Sequence, residues 1–425
     1  MSTPAASTAP AEREAFLVTG EGLRPVAPGI WVLHGQGQSF VAEIDAGLVL
    51  IDTGPGGKTT RRMIAALREA TQAPLHALCF SHGHLGYNAG VPLWLAHAAE
   101  RGEAPPRVIA HANVPRRTAR YRETLALQER MAEIQFRSAP GSMAGRLPFH
   151  DPGETFDERL VLGDPQGCHV ELLWSPSETD DAIAVWCPQQ RVLYGGPTTI
   201  DSIPNIGTPL RTQRNTRRWV QSLERLAGLG AVRLVREFGD DVVGEAAVRE
   251  LLLHTARALR WLREETIRLM NAGCSEREIL ETITLPGELF DAPWMAPTYG
   301  DPLWIVRDVY RSENGWWDRN ATTLHPAPRA EAAAALARAI SDKPAVIAEA
   351  QALAKRGEVQ LALHVIDLLA TLHGVDDPAV TQARALKAGW LRERARGVRS
   401  YVSKSLYHAS ADALERPEGP HFGLN

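Results

Sequence analysis

The stretch that most restricts the fold runs from residue 75 to residue 90. A mainly apolar run at 75–80 reads as a buried strand, and it leads into Ser81-His-Gly-His-Leu-Gly-Tyr-Asn-Ala-Gly90. Side chains alternate along extended backbone, so His82 and His84, one residue apart as the strand ends, can face the same way. Neutral imidazole is a common ligand for zinc and also suits iron, which makes the pair a candidate metal clamp. The plainer alternative is two polar histidines on a loop.

The neighbouring segments set the fold class. Short β-rich runs at 30–33, 39–44 and 48–51, separated by Gly-containing turns, read as a meander. Residues 59–71 then carry Met63, Ile64, Leu67 and Ala70 at helical spacing. After the histidine stretch come a helix at 91–101, a strand at 108–110 ending at His111, and strands at 168–174, 182–186 and 191–194. That order predicts an α/β protein in which sheets are sandwiched between helices. Residues 112–150 are Arg-rich and helical, suited to a lid or to a solvated insertion, and the insertion is the preferred reading. Beyond about residue 242 the pattern turns helical: a long amphipathic helix is expected at 245–271, closed by Gly273. A Pro/Trp/Gly-rich stretch follows at 286–325 with a helix near 302–310, then Ala/Leu-rich helix pairs from 327 onward.

Composition narrows the classes of partner. A chain of 425 residues predicts two or three domains. The formal charge of −4 and the lack of a basic block give no sign of a nucleic-acid partner. No segment has enough consecutive apolar residues to span a bilayer. The 4 cysteines have no paired spacing and read as buried thiols in a reducing compartment. With an Ala/Ser/Thr/Pro-rich stretch at 1–14 expected to be a disordered lead-in, the protein is expected in the cytoplasm.

Five further stretches of residues carry a resemblance. Val49-Leu-Ile-Asp-Thr-Gly-Pro55 reads as a strand entering a Gly-rich turn, and Ser177-Glu-Thr-Asp-Asp181 precedes another strand-like run. Downstream stand Glu237-Phe-Gly-Asp-Asp-Val-Val-Gly-Glu245, Leu289-Phe-Asp-Ala-Pro-Trp-Met-Ala-Pro-Thr-Tyr-Gly-Asp-Pro-Leu-Trp304 and Tyr310-Arg-Ser-Glu-Asn-Gly-Trp-Trp-Asp-Arg-Asn320. From about residue 25 to 325 the chain resembles the metallo-β-lactamase fold and, within it, the alkylsulfatase-like hydrolases. The resemblance implies an αββα sandwich over 15–241, a helical dimerisation region over 242–325 and a C-terminal helical region over 326–425. A homodimer is implied by the same analogy.

In the resembled family two metals share seven protein ligands. Carried over position by position, His82, His84 and Glu178 match. Gly86 stands where an aspartate is expected, Tyr87 where a histidine is, Pro197 at the bridging acid and Phe238 at the late histidine. All four departures fall on ligands of the second metal, one of them shared, and Gly, Pro and Phe offer no side-chain donor. Two imidazoles and one carboxylate are the ligand count of a catalytic zinc centre and of the non-haem iron facial triad.

Three readings follow. In the first, one zinc at His82, His84 and Glu178 serves a hydrolase acting on sulfate esters. In the second, iron or manganese is held there for other chemistry, with Tyr87 beside it. In the third, the fold survives without metal as a binding or scaffold protein. The resemblance makes Asp52 an acid that orients the metal histidines, while the residues alone also allow it to cap the turn before Gly54. Asp180 and Asp181 read as similar supports or as turn residues, and His111 as facing the site or lying on a loop. Thr208, Arg211 and Arg214 are candidate contacts for an anionic group, set against solvated arginines on a helix. Trp294, Trp304, Trp316 and Trp317 suit either an apolar channel for an alkyl chain or ordinary packing.

Overall fold

The computed structural model describes residues 22–145, 148–416 and 424; the expected lead-in at 1–14 lies outside the described residues. The chain forms two compact units. The first runs to Leu125 and resumes over Ala144–Glu313; the second comprises Ala126–Met143 and Asn314–Asn425.

In the first unit a seven-stranded sheet is laid down in chain order, β1 (Leu23–Ala27), β2 (Ile30–His34), β3 (Gln38–Ile44), β4 (Gly47–Ile51), β5 (Leu75–Cys79), β6 (Arg107–His111) and β7 (Glu154–Phe156). The first four strands form the antiparallel meander, and β4 to β7 are parallel. Parallel pairing requires crossovers. Helices α1 (Gly57–Ala70) and α2 (Val91–Glu100) supply two of them. They pack Met63, Leu67, Val91 and Trp94 onto Leu48, Leu50 and Leu78 on one face of this sheet. Because β4, β5 and β6 point the same way, Asp52, His82 and His111 all emerge at their carboxyl ends, the edge at which open α/β sheets place ligands.

The second sheet has the order β13-β12-β11-β10-β9-β8, built from β8 (Arg159–Gly163), β9 (His169–Trp174), β10 (Ile183–Cys187), β11 (Val192–Ile200), β12 (Arg233–Phe238) and β13 (Val242–Val243). Its inner face meets the first sheet through Val170, Leu172, Ile183 and Val185 against Val32, Phe40, Val49 and Ala77. Each Val, Leu, Ile or Phe side chain so buried contributes about 1.5–3 kcal/mol. Its outer face, at Ala184, Trp186, Leu193 and Leu234, is covered by α5 (Thr216–Ala227) and α6 (Glu245–Asn271), with α7 (Glu276–Thr282) and, past the four-residue α8 (Gly287–Phe290), α9 (Pro302–Asn314) behind them. The layers are therefore α, β, β, α. The long helix spans the expected residues, with Glu245 in its first turn and Arg268 in its last, each complementing the helix dipole.

Two helices lie between β6 and β7: α3 (Val114–Glu123) in the first unit and α4 (Leu125–Gln135), nearly all of it in the second. In the second unit α10 (Arg329–Ala339), α11 (Lys343–Lys355), α12 (Val359–Ala370), α13 (Pro378–Gly397) and α14 (Tyr401–Glu415) pack around Ile347, Ala350, Ile366, Leu369 and Val380, with a smaller cluster at Leu363, Ala388, Leu391 and Ala411. No helix among the described residues is long and apolar enough to cross a membrane.

Candidate metal centre

Asp52 follows β4 with φ 62°, in the left-handed region. Its N–H donates to the Cys79 carbonyl at 2.8 Å, so the end of β4 is fixed beside the end of β5. Its Oδ1 accepts from the Ser81 N–H and from Asn88 Nδ2, both at 2.9 Å. Asn88 Oδ1 in turn accepts the Thr53 N–H at 3.1 Å. Asp52 thus ties the two ends of the histidine loop to β4, bonding the residue before His82 and not an imidazole. Burial raises its pKa to about 6 against the opposing bonds from Ser81 and Asn88.

His82 and His84 come together with Glu178, which approaches from the loop before β10: one ligating atom from each lies within 4.8 Å of the others. His82 is fully buried, and Ser81 Oγ lies 2.8 Å from its Nδ1. Its Nε2 has no partner. With the proton on Nδ1, Nε2 presents a lone pair to the space shared with His84 and Glu178. Burial lowers His82 to about 4, despite the opposing charge of Glu178. Burial, with the neighbouring charges of His82 and Arg214, takes His84 well below its usual value. Both imidazoles are therefore neutral at neutral pH, the form that ligates metal. A buried, orphaned imidazole nitrogen, a second neutral imidazole and a carboxylate on one point fit a divalent cation.

Tyr87 packs edge-on against His82, with ring centroids 4.4 Å apart. Its hydroxyl interacts with the carboxyl of Glu237, but outside regular hydrogen-bond geometry, so both Glu237 oxygens lack a partner of that kind. Burial raises Tyr87 and Glu237 well above their ordinary ranges, and the charge of Glu178 adds to both shifts. Glu237 was not among the candidates read from sequence. Its signal was present: it is an acid inside β12, a strand that is otherwise mostly apolar and buried.

Of the remaining candidates, Arg214 is buried and paired: Nη2 reaches Glu178 Oε1 at 2.8 Å, the backbone N–H donates to Asp308 Oδ2 at 3.2 Å, and Nη1 donates to the Asn205 carbonyl. A solvated arginine is thus the wrong description of it. Arg211 lies in the field of Tyr299, Tyr121, Arg214 and Glu178, donates to the Leu210 carbonyl and forms no ion pair among the described residues; burial lowers its pKa. Thr208 is buried with Oγ1 unpartnered, as is Asn205 Oδ1.

Asp181 is more than a turn residue. It is fully buried, and its Oδ1 accepts the Gly83 N–H at 3.2 Å. Arg117 on α3 donates to it from Nε, and Asp180 accepts from Arg116 and Arg117. The preferred reading of 112–150 as a solvated insertion fails for α3, where Val114, Thr118 and Tyr121 are buried. His111 is held away from the ligand set, stacked on Trp174 at 5.3 Å with Nδ1 accepting the Asn113 N–H. Trp294 packs against the outer core beside His254; Trp316 is 74% exposed and Trp317 39%. At the positions of the missing second-metal ligands, Gly86 has φ 92°, a conformation suited to glycine, and Phe238 closes β12.

The chain is similar to several known proteins. A linear primary-alkylsulfatase from Pseudomonas sp. is 28% identical over 339 residues, covering 75% of this chain and 64% of that protein. An alkyl/aryl-sulfatase, BDS1 of Saccharomyces cerevisiae, is 23% identical over 437 residues, covering 97% of this chain and 67% of its own length. Among solved structures, the stereoselective inverting sec-alkylsulfatase Pisa1 from Pseudomonas sp. superposes with a TM-score of 0.80 at 22% identity, over 94% of this chain and 66% of that one. The chain thus spans about two thirds of the length of these relatives. Residues 33–236 match the family described as the metallo-beta-lactamase superfamily, and residues 275–417 the one described as alkyl sulfatase dimerisation. The chain is thus similar to alkylsulfatases of the metallo-β-lactamase superfamily, with a region matching that superfamily followed by one matching the dimerisation family.

Proposed function

We propose that this chain is a metal-dependent hydrolase of sulfate esters that works with one metal. The observation that carries the reading is the convergence of His82, His84 and Glu178 within 4.8 Å, with a buried His82 nitrogen left unpartnered. These three residues would hold the ion, zinc in the first instance. What zinc supplies when bound at such a site is Lewis acidity, enough to bring the pKa of water toward about 7. Iron or manganese is the alternative, since two histidines and one carboxylate also make a facial triad.

The surrounding residues have separate tasks. Asp52 holds the histidine loop through the Ser81 N–H and Asn88. Tyr87 keeps its proton on Oη and walls one side of His82. Arg211, Arg214 and the Thr208 hydroxyl would receive the anionic group of a small substrate, and an alkyl chain fits what the relatives' names say they act on. A homodimer is supported by the family to which residues 275–417 belong. A cytoplasmic setting is supported by four free thiols.

The test is metal content together with turnover. The purified protein is expected to carry one equivalent of zinc per chain and to release sulfate from dodecyl sulfate, and His82→Ala and Glu178→Gln are each expected to lose both. Iron or manganese without sulfate release would favour the alternative chemistry. Wild-type protein that binds no metal would sink the proposal.

A further inference from the structure

We infer that Arg117 is a positioning residue for the metal centre: through Asp181, its guanidinium locks the loop that carries His82 and His84 to the loop that carries Glu178. The inference rests on the metal reading above.

Three segments meet on one buried carboxylate. Arg117 reaches it from α3, the Gly83 N–H reaches it from between the two histidines, and the Thr179 hydroxyl reaches it from beside Glu178. The Arg117 side chain is 11% exposed and that of Asp181 is 0%, so the pair sits away from solvent and is weakly screened. A second fork from Arg117 Nη2 holds the Asp180 carboxylate. The pair also lies flat against the histidine link. A Cβ at position 83 would come within 2.8 Å of Arg117 Cδ and 2.9 Å of Asp181 Oδ2, so no side chain fits between them.

Losing the guanidinium leaves a buried carboxylate without its cation, and that carboxylate must then move toward other donors or take a proton. Either response shifts the Gly83 N–H or the Thr179–Asp181 turn, and the ligands on both loops shift with them. Ligand geometry tolerates displacements of only about 0.5 Å. The loop itself has other ties, since Asn113 Nδ2 and Trp174 Nε1 both donate to the Asp180 carbonyl at 2.9 Å, so the fold has support beyond Arg117.

The test uses the full chain and zinc alone. Zn(II) affinity is measured by competition with a chromophoric chelator, and the absorption spectrum of the Co(II)-loaded protein reports ligand geometry. Arg117→Met is expected to bind Zn(II) about 10–100-fold more weakly, the range found when supporting partners of metal ligands are removed. Its Co(II) bands should shift. Arg117→Lys is expected to fall between the two, because a point charge cannot fork across both carboxylates. Added guanidinium should recover part of the affinity in Arg117→Ala. Should Arg117→Met not fold, Arg117→Lys and Asp181→Asn carry the test. Wild-type Zn(II) affinity and an unchanged Co(II) spectrum in the folded variants, with affinity lost in His82→Ala, would overturn the role of Arg117 and leave the metal reading standing. Equal affinity in wild type and His82→Ala would remove the metal reading, and this inference with it.

Discussion

Without metal, the carboxylate of Glu178 is balanced chiefly by Arg214, and that pairing can be measured. Their side chains are 15% and 4% exposed and meet at 2.8 Å. Removing one partner of a buried pair costs about 3–5 kcal/mol, because the other charge is left uncompensated. The exposure that Glu178 retains puts Arg214→Met at the low end, about 3 kcal/mol. At about 1–2 °C per kcal/mol for a unit of this size this is a fall in Tm of about 3–6 °C. In Arg214→Met/Glu178→Gln neither charge remains, so part of the loss should return. The lost bond to the Asn205 carbonyl is common to the single and the double variant, so it cancels in the cycle. The expected coupling is about 2 kcal/mol, seen as about 2–4 °C recovered. The assay is thermal unfolding of the four proteins in EDTA, so that no metal substitutes for Arg214. Single-variant shifts that simply add, to within about 1 °C, would refute the reasoning.

Two other outcomes test neighbouring parts of the site. Burial raises Asp308 to about 6 against the opposing N–H bond and charge of Arg214, so between its ordinary value of 3.8 and about 6 the folded state binds more protons than the unfolded one. Stability should fall as pH rises through that window, and Asp308→Asn should flatten the slope in a Tm–pH series; an unchanged slope would show that Asp308 is not its source. Phe238→His alone is expected to leave metal content at one per chain, because Gly86 and Pro197 still lack donors; two equivalents by elemental analysis would contradict the single-metal reading.

What could be read from sequence was what local periodicity encodes. Strands β2 to β6 and the helices at 57–70, 91–100 and 245–271 follow from runs of Val, Ile and Leu or from 3.6-residue spacing. The convergence of His82 and His84 was legible for the same reason, since it needs only a strand end. Glu178 needed the resemblance, because nothing local links it to residues about a hundred positions upstream. Arg117 was hidden in an Arg-rich helix, where an arginine that reaches a buried acid looks the same as its solvated neighbours. Strands β1, β7, β8, β12 and β13 were missed: Pro25 interrupts β1, β7 is short and polar, Asp157 and Glu158 border β8, charged residues interrupt β12, and β13 has only two residues.

Glu237 changes how the lost second-metal ligands should be understood. Counting donors by motif leaves that side of the pocket with only a phenol, yet the fold brings an acid there from β12, one residue before Phe238. A phenol and one acid still fall short of what a divalent ion requires, and Gly86, Pro197 and Phe238 contribute nothing. The acid is also set among others: its carboxyl feels Glu178 and Asp52, and neither oxygen has a regular donor. A buried carboxyl in that setting lowers its energy by keeping its proton, which is the direction in which its pKa moves. The Tyr87 hydroxyl and the Glu237 carboxyl thus interact beside the candidate ligand set, in which Glu178 is the one carboxylate among the described residues.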